Sequence, residues 1–342
     1  MSSMNVAMYY NNNDVRIEPM PIPTITDDEL LVKVKASGIC GSDVMQWYRE
    51  KTAPRVLGHE IAGDIVKVGK NVESYTVGDR VFISHHVPCN NCRFCTNNQH
   101  TLCETLHSTN FYPGGFAEYL KVPKINVKYG TFLLPDDMTY DQAAFIEPLA
   151  CVVRGLRTAG FKPNQSILVL GSGIAGLLQI KCAKALGAGT IIATDINEYR
   201  LELAKRFGAD ATIHATEDVA KQVKLHNDGL LADLVILCAG VASAVTQAFE
   251  SVNAGGTVLF FAMTKPGVEI PFHLFDIWKR QITIVSTYAA APQDITEAMK
   301  LIQSKKVEVT DMISHRLALS EAAQGFHLVA NAQDSLKVIL KP

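Results

Sequence analysis

Residues 30–37, LLVKVKAS, alternate apolar and polar side chains, the period of a strand with one buried face. The residues before them alternate too, broken by Pro19, Pro21 and Pro23. From 54 to 82 short apolar runs are punctuated by Gly58, Gly63, Gly69 and Gly78, the pattern of a small twisted β-barrel. Residues 114–129 read as further strands. At 134–160 a turn gives way to a helix from about Asp141, which Pro148 kinks or restarts. The second half has a different rhythm. Residues 166–197 run strand, Gly-rich turn, helix, strand. LELAKRFGAD then reads as a helix ending at Gly208, ATIHA as a short strand, ADLVILCAG as a buried strand and SAVTQAFESV as a helix. GTVLFFAM and QITIVSTY (281–288) follow as strands. Apolar strands alternating with helices predict a parallel sheet covered on both faces. After an amphipathic helix at DITEAMKLIQSKKV, the segments ISHRLAL, a helix from Ser320 and SLKVILKP return to the mixed pattern of the first part. The expected fold is α/β in two domains: residues 1–148 with 289–342, and 149–288 inserted between them.

The 342 residues are 48% hydrophobic and 19% charged, with net charge −2. That is enough chain for two cores, and near-neutral charge gives no reason to expect nucleic acid or a membrane surface as partner. No apolar run reaches the ~18–20 residues of a membrane span, and no signal-peptide pattern opens the chain, so a cytoplasmic protein is expected.

Cys89, Cys92, Cys95 and Cys103 change the picture. Four thiols fall within fifteen residues as C-x2-C-x2-C-x7-C. Each two-residue step folds two sulfurs onto one ion, and the longer gap lets the chain return with the fourth. Four thiolates suit a closed, structural Zn²⁺ site. Disulfides are the rival, but the other four cysteines are scattered singly in a long chain without a leader. An iron–sulfur cluster is the other rival. Its motif leaves three residues before the fourth Cys, which precedes Pro, whereas here seven residues separate Cys95 from Cys103, which precedes Glu104.

Cys40, His59, Glu60 and Glu147 form a second donor set. Singly, a lone Cys is more often a small buried hydrophobe and a lone His a structural residue. Together they are a soft sulfur, an imidazole and two carboxylates, the donors of a catalytic zinc site with an open position. Glu147 sits in AAFIEPLA, where an unpaired carboxylate is costly to bury and needs a cation or donor. Cys40 ends a strand, and Ser42 or Asp43 is a good helix N-cap just after it.

Gly171, Gly173 and Gly176 form G-x-G-x-x-G between a strand and a helix. The first makes the tight turn, the second lets backbone approach a pyrophosphate, and the third lets helix and strand pack closely. With Ile174 and Ala175, they open a helix whose free N–H groups face the phosphates. Asp195 ends the second strand, placed to accept from a ribose 2′-OH and repel a 2′-phosphate, which favours NAD over NADP. Arg200 lies close enough in sequence to reach the adenosine side.

In order along nearly the whole chain, GICGSD (38–43), GHE (58–60), the four-Cys lobe, GGFAEY (114–119), EPL (147–149), GSGIAG (171–176) and Asp195 resemble zinc-containing medium-chain alcohol dehydrogenases. The polyol (sorbitol-type) and threonine dehydrogenase branches look nearest. The resemblance implies a GroES-like β-barrel catalytic domain plus a Rossmann doubly wound domain, two zinc ions per chain, NAD, and a homodimer or homotetramer. It implies zinc held by Cys40, His59 and Glu60 or Glu147, with Ser42 taking the substrate hydroxyl proton and Trp47, Glu147 and Tyr288 near the substrate. Asp43 would orient the ligand shell, through His59. Three departures bear on substrate. Met45 stands where many relatives have a relay His, Thr287 where the sorbitol type has Arg, and Gln46 where it has Tyr. A polyol, cyclitol or small secondary alcohol remains open. An L-threonine 3-dehydrogenase would need an amino-acid clamp that the sequence does not reveal. A non-enzymatic nucleotide-binding protein would be favoured by loss of Cys40, His59 or a fingerprint glycine, and none is lost.

Overall fold

The computed structural model describes residues 2–332 and 335–342. The chain divides into two compact units, Met1–Ala150 with Ala289–Pro342, and Cys151–Tyr288.

In the first unit, strand Leu30–Gly38 is the organising element. It pairs antiparallel with Glu60–Val68 along its length, and its other edge takes Tyr119–Val122 and Lys337–Lys341 in turn. The sheet runs Ile313–Ala318, Lys337–Lys341, Leu30–Gly38, Glu60–Val68, Arg80–Ile83, Thr131–Leu133. The alternation in LLVKVKAS has the expected result. Leu30, Val32 and Val34 point into one core with Ile61, Ile65, Val81 and Leu120, while Lys33 and Lys35 remain partly exposed. Gly63 is required by closeness rather than by turn geometry, since a Cβ there would sit 2.2 Å from the Lys33 carbonyl oxygen. A three-stranded sheet of Ser3–Asn11, Asp14–Pro21 and Arg55–Val56 contributes to a second core with Phe116, Phe326 and Val338.

Two local expectations are corrected. Residues 124–129 are a helix, Lys124–Tyr129, not a strand. KINVKY is rich in strand formers, but buried Asn126 donates to the Ser84 and His85 carbonyls and Val127 joins the core, so tertiary contacts override propensity. Residues 140–158 are two helices, Tyr140–Ala143 and Ile146–Thr158. Pro148 lies in the first turn of the second, where its missing N–H costs nothing, so it restarts the helix.

The second unit is a six-stranded parallel sheet in the order Ala211–His214, Ile191–Asp195, Ile167–Leu170, Ala232–Leu237, Val252–Phe260, Thr283–Ser286. The order reverses beside Ile167–Leu170, the switch point at which open α/β sheets bind ligands. Sequence reading missed two helices. Val219–His226 lies in a polar stretch, and Leu274–Arg280 buries no side chain and so has no apolar face facing inward. Among the described residues no helix is long and apolar enough to cross a membrane.

Candidate metal centre and cofactor site

The pairing of Gly38 with Glu60 sets the first site, because it draws the end of one strand against the start of another. Cys40 follows the first strand, and His59 precedes the second. The Cys40 sulfur, a His59 ring nitrogen and a Glu60 carboxylate oxygen all lie within 4.8 Å of one another. Soft sulfur, imidazole and carboxylate converging at this spacing fit a zinc ion that keeps a coordination position open. Glu147 is buried in the first turn of Ile146–Thr158 but does not join this cluster.

The N-cap of the 3₁₀ turn Gly41–Val44 is Cys40, not Ser42 or Asp43. Asp43 takes the third position and reaches back, accepting from the Cys40 N–H at 3.1 Å. That leaves its other oxygen 3.5 Å from His59 Nδ1. Both groups respond. Burial works against the charged form of His59, but Asp43 and Cys40 outweigh it and raise its pKa well above the ordinary value. Burial likewise opposes ionisation of Asp43, yet His59 and Arg49 hold its carboxyl below the usual range. His59 is thus fixed with Nδ1 toward a carboxylate, the arrangement that orients metal-ligating imidazoles.

Sequence reasoning missed four neighbours. Lys337, 1% exposed, forms an ion pair with Glu60, also 1% exposed. The pair joins residues 277 apart. The only local signal was a lysine on the same strand face as Ile339. Arg49 ends the short helix Gln46–Arg49 and donates from Nη2 to Ser42 Oγ at 3.0 Å. His85 and His86 stack beside the cluster, with the His85 ring 4.9 Å from His59 and 3.8 Å from His86. Burial, then neighbouring imidazoles, pushes His85 well down and His86 to about 4, so both are neutral imidazoles near pH 7. Of the expected substrate residues, Trp47 is half-buried on the Arg49 helix, and Tyr288 is half-exposed in the second unit.

The four-Cys lobe closes as its spacing predicts. The four sulfurs lie within 4.8 Å of one another, with Cys92–Cys95 at 3.6 Å, Cys89–Cys103 at 3.5 Å and Cys89–Cys95 at 4.0 Å. A tetrahedron with Zn–S of about 2.3 Å has edges near ~3.8 Å. None of the four is in a disulfide, and their separations exceed the ~2.05 Å of an S–S bond. Burial opposes ionisation of Cys103, but N–H groups of Cys89 and Leu106 bring it down to about 6, toward the thiolate a metal needs.

In the second unit Gly171 has φ of +96° and makes the turn. A Cβ on Gly176 would lie 1.9 Å from the Gly171 carbonyl oxygen, so the helix that Ile174 and Ala175 open can approach the strand only with glycine there. A Cβ on Gly173 would meet nothing nearer than Arg200 Nη1 at 4.0 Å, which leaves an open face at the turn. Asp195 accepts from Ser172 N–H at 2.8 Å and Asn197 N–H at 3.0 Å, and Arg200 lies 3.9 Å away. These N–H groups take two of the carboxylate's four acceptor positions. Turn, open backbone and acid fit a dinucleotide.

The chain is similar to known proteins. The family model described as alcohol dehydrogenase GroES-like domain matches residues 26–130, and that of zinc-binding dehydrogenase matches 175–304. The chain is 31% identical to a sorbitol dehydrogenase of Bacillus subtilis (strain 168), covering 99% of this chain and 98% of the relative. It is 33% identical to a D-xylulose reductase A of Aspergillus oryzae over 92% of this chain and 90% of that one. A zinc-binding dehydrogenase from Sinorhizobium meliloti 1021, solved bound to NADP, superposes with a TM-score of 0.89 at 30% identity over 100% of both chains. The chain belongs to the zinc-containing medium-chain alcohol and polyol dehydrogenase family.

Proposed function

We propose that the chain oxidises a secondary alcohol of a polyol or cyclitol with NAD, and that it holds two zinc ions, one at Cys40, His59 and Glu60 and one in the four-Cys lobe. The observation that carries this reading is the convergence of Cys40, His59 and Glu60 within 4.8 Å, with buried Asp43 beside His59. When bound, zinc supplies a Lewis acid that makes an alcohol hydroxyl acidic near neutral pH, and NAD supplies the hydride acceptor. The chain's residues do the rest. Asp43 orients His59. Ser42 Oγ already accepts from Arg49 Nη2, so one lone pair and its own proton are left for a substrate hydroxyl. Met45 cannot pass that proton onward, and the His85 and His86 rings stand beside the site. Asp195 supports NAD through its carboxylate, although the S. meliloti protein binds NADP. Glu147, outside the cluster, and Trp47 are assigned to the substrate side in the first unit, and Tyr288 is kept as a separate candidate in the second.

We place the protein in the cytoplasm as a homo-oligomer. Eight cysteines without a disulfide among the described residues support a reducing compartment. Leu274, Phe275 and Trp278 are 67–73% exposed on one short helix, and Thr283–Ser286 is an edge strand with one neighbour, a surface suited to a second copy. Light scattering that finds only monomer refutes that assignment. The reaction is tested by zinc content together with NADH appearance across polyols, cyclitols, threonine and simple secondary alcohols. Two zinc ions and turnover of a polyol or cyclitol are expected. One zinc ion and no turnover would overturn the reading.

A further inference from the structure

Arg49 stands outside every donor set named above, yet its guanidinium is tied into the Cys40–His59 site at three points. Nε donates to the Ser42 carbonyl at 2.8 Å, and Nη2 donates to Ser42 Oγ at 3.0 Å. The same Nη2 lies 3.5 Å from Asp43 Oδ1. Asp43 Oδ1 is also the oxygen that faces His59 Nδ1 at 3.5 Å. Only 15% of the Arg49 side chain is exposed, and none of the Asp43 side chain is. The Tyr48 ring covers one face of the guanidinium, 4.8 Å from its carbon.

This geometry does more than brace a turn. A brace would be complete with the Ser42 carbonyl. The two further contacts anchor the guanidinium on Ser42 Oγ and aim it at the carboxylate that orients His59. A guanidinium suits the task because its planar fork reaches several acceptors at fixed angles and never loses its charge. Resting on the reading that Cys40 and His59 bind zinc, we propose that Arg49 is a positioning residue for that metal site. Anchored on Ser42, it holds Asp43 in the place from which Asp43 orients His59. The order of action runs from Ser42 to Arg49, then Asp43, then His59. Without Arg49, Asp43 loses its only cationic partner besides His59 among the described residues, and the imidazole loses a fixed reference.

The test is zinc binding itself. Stripped protein is titrated with Zn²⁺ alone against a chromophoric chelator, and with Co²⁺ alone for its visible thiolate spectrum. The proteins are the native chain, Arg49→Met, Arg49→Lys, Asp43→Asn and Arg49→Met with Asp43→Asn. Outer partners of metal ligands are typically worth about 10–100-fold in affinity. Arg49→Met should weaken the weaker of two zinc sites about tenfold and shift the Co²⁺ bands of that site, while the four-Cys site keeps its affinity and reports an intact fold. Arg49→Lys should recover little, because a single ammonium cannot span Oγ and the carboxylate. In the Asp43→Asn background, Arg49→Met should add less than twofold. Unchanged affinity and spectrum in both Arg49 variants, with two zinc ions still bound, would overturn the proposal and leave the zinc reading intact. So would full additivity with Asp43→Asn. A native chain that takes up only the four-Cys zinc would overturn the zinc reading, and this inference with it.

Discussion

Lys337→Met should make the first unit's stability depend on zinc. Lys337 and Glu60 are each 1% exposed and paired with one another. The Lys337 ammonium also lies 3.4 Å from the Ile39 carbonyl and 5.7 Å from the Phe145 ring centroid. Methionine fills nearly the same volume, so the change removes a charge and leaves little cavity. It strands a buried carboxylate, and breaking a buried pair from one side costs about 3–5 kcal/mol. For a unit of this size that corresponds to a fall of about 6–20 °C in Tm. The loss should appear in full only in stripped protein. Zinc at Cys40 and His59 would give Glu60 a new cationic partner and return much of the loss. The chain has two tryptophans, Trp47 and Trp278, one in each unit. A Trp278→Phe background therefore lets Trp47 fluorescence report the first unit alone during thermal or urea unfolding. Adding Glu60→Gln should restore most of the lost stability in stripped protein. The reasoning is refuted if Lys337→Met costs less than about 1 kcal/mol without metal, or if its cost is the same with and without zinc.

Three further outcomes follow from the same geometry. Cys40→Ser or His59→Ala should abolish turnover while NADH binding, followed by fluorescence, stays within about twofold; normal turnover in either would remove the catalytic assignment of the cluster. Asp195→Ala should lower kcat/KM for NAD at least tenfold and narrow its ratio to that for NADP, and an unchanged ratio would show that Asp195 does not meet the ribose. Asp141 accepts from Arg316 at 2.7 Å and pairs with Lys341, and although its burial acts in the opposite sense, these cations hold its carboxyl below the usual range. A depressed folded pKa contributes stability above the unfolded value and loses it as pH falls through the folded one. Asp141→Asn should therefore cost up to about 1 kcal/mol near neutrality, since the cations are half-exposed, and the gap to the native chain should close below about pH 4. A gap that persists at pH 2 would assign the effect to packing.

What could be read from the chain depended on how far apart the partners lie. The four-Cys lobe was readable because its geometry is written into fifteen consecutive residues. The G-x-G-x-x-G turn was readable for the same reason, as strand, turn and helix are contiguous. Cys40, His59 and Glu60 were identifiable only by residue type. What joins them is the register that sets Gly38 opposite Glu60, and a shift by one residue would turn Glu60 to the other face. Periodicity locates strands but does not state which residue faces which. That is also why the sequence leaves two carboxylates open, whereas the pairing brings Glu60, and not Glu147, beside Cys40 and His59. Lys337 and Arg49 were harder still. One reaches the site from the last strand, and the other from seven residues beyond Ser42 on a helix of four. Neither carries a metal-ligand signature, because a guanidinium and an ammonium act here by holding carboxylates. Buried charges must be paired, so a buried lysine at the start of one strand and a carboxylate at the start of another each demand a partner. The sequence states that demand without saying that Lys337 and Glu60 answer one another. A site reading confined to donor residues therefore leaves out Lys337 and Arg49, the cations that pair with Glu60 and Asp43.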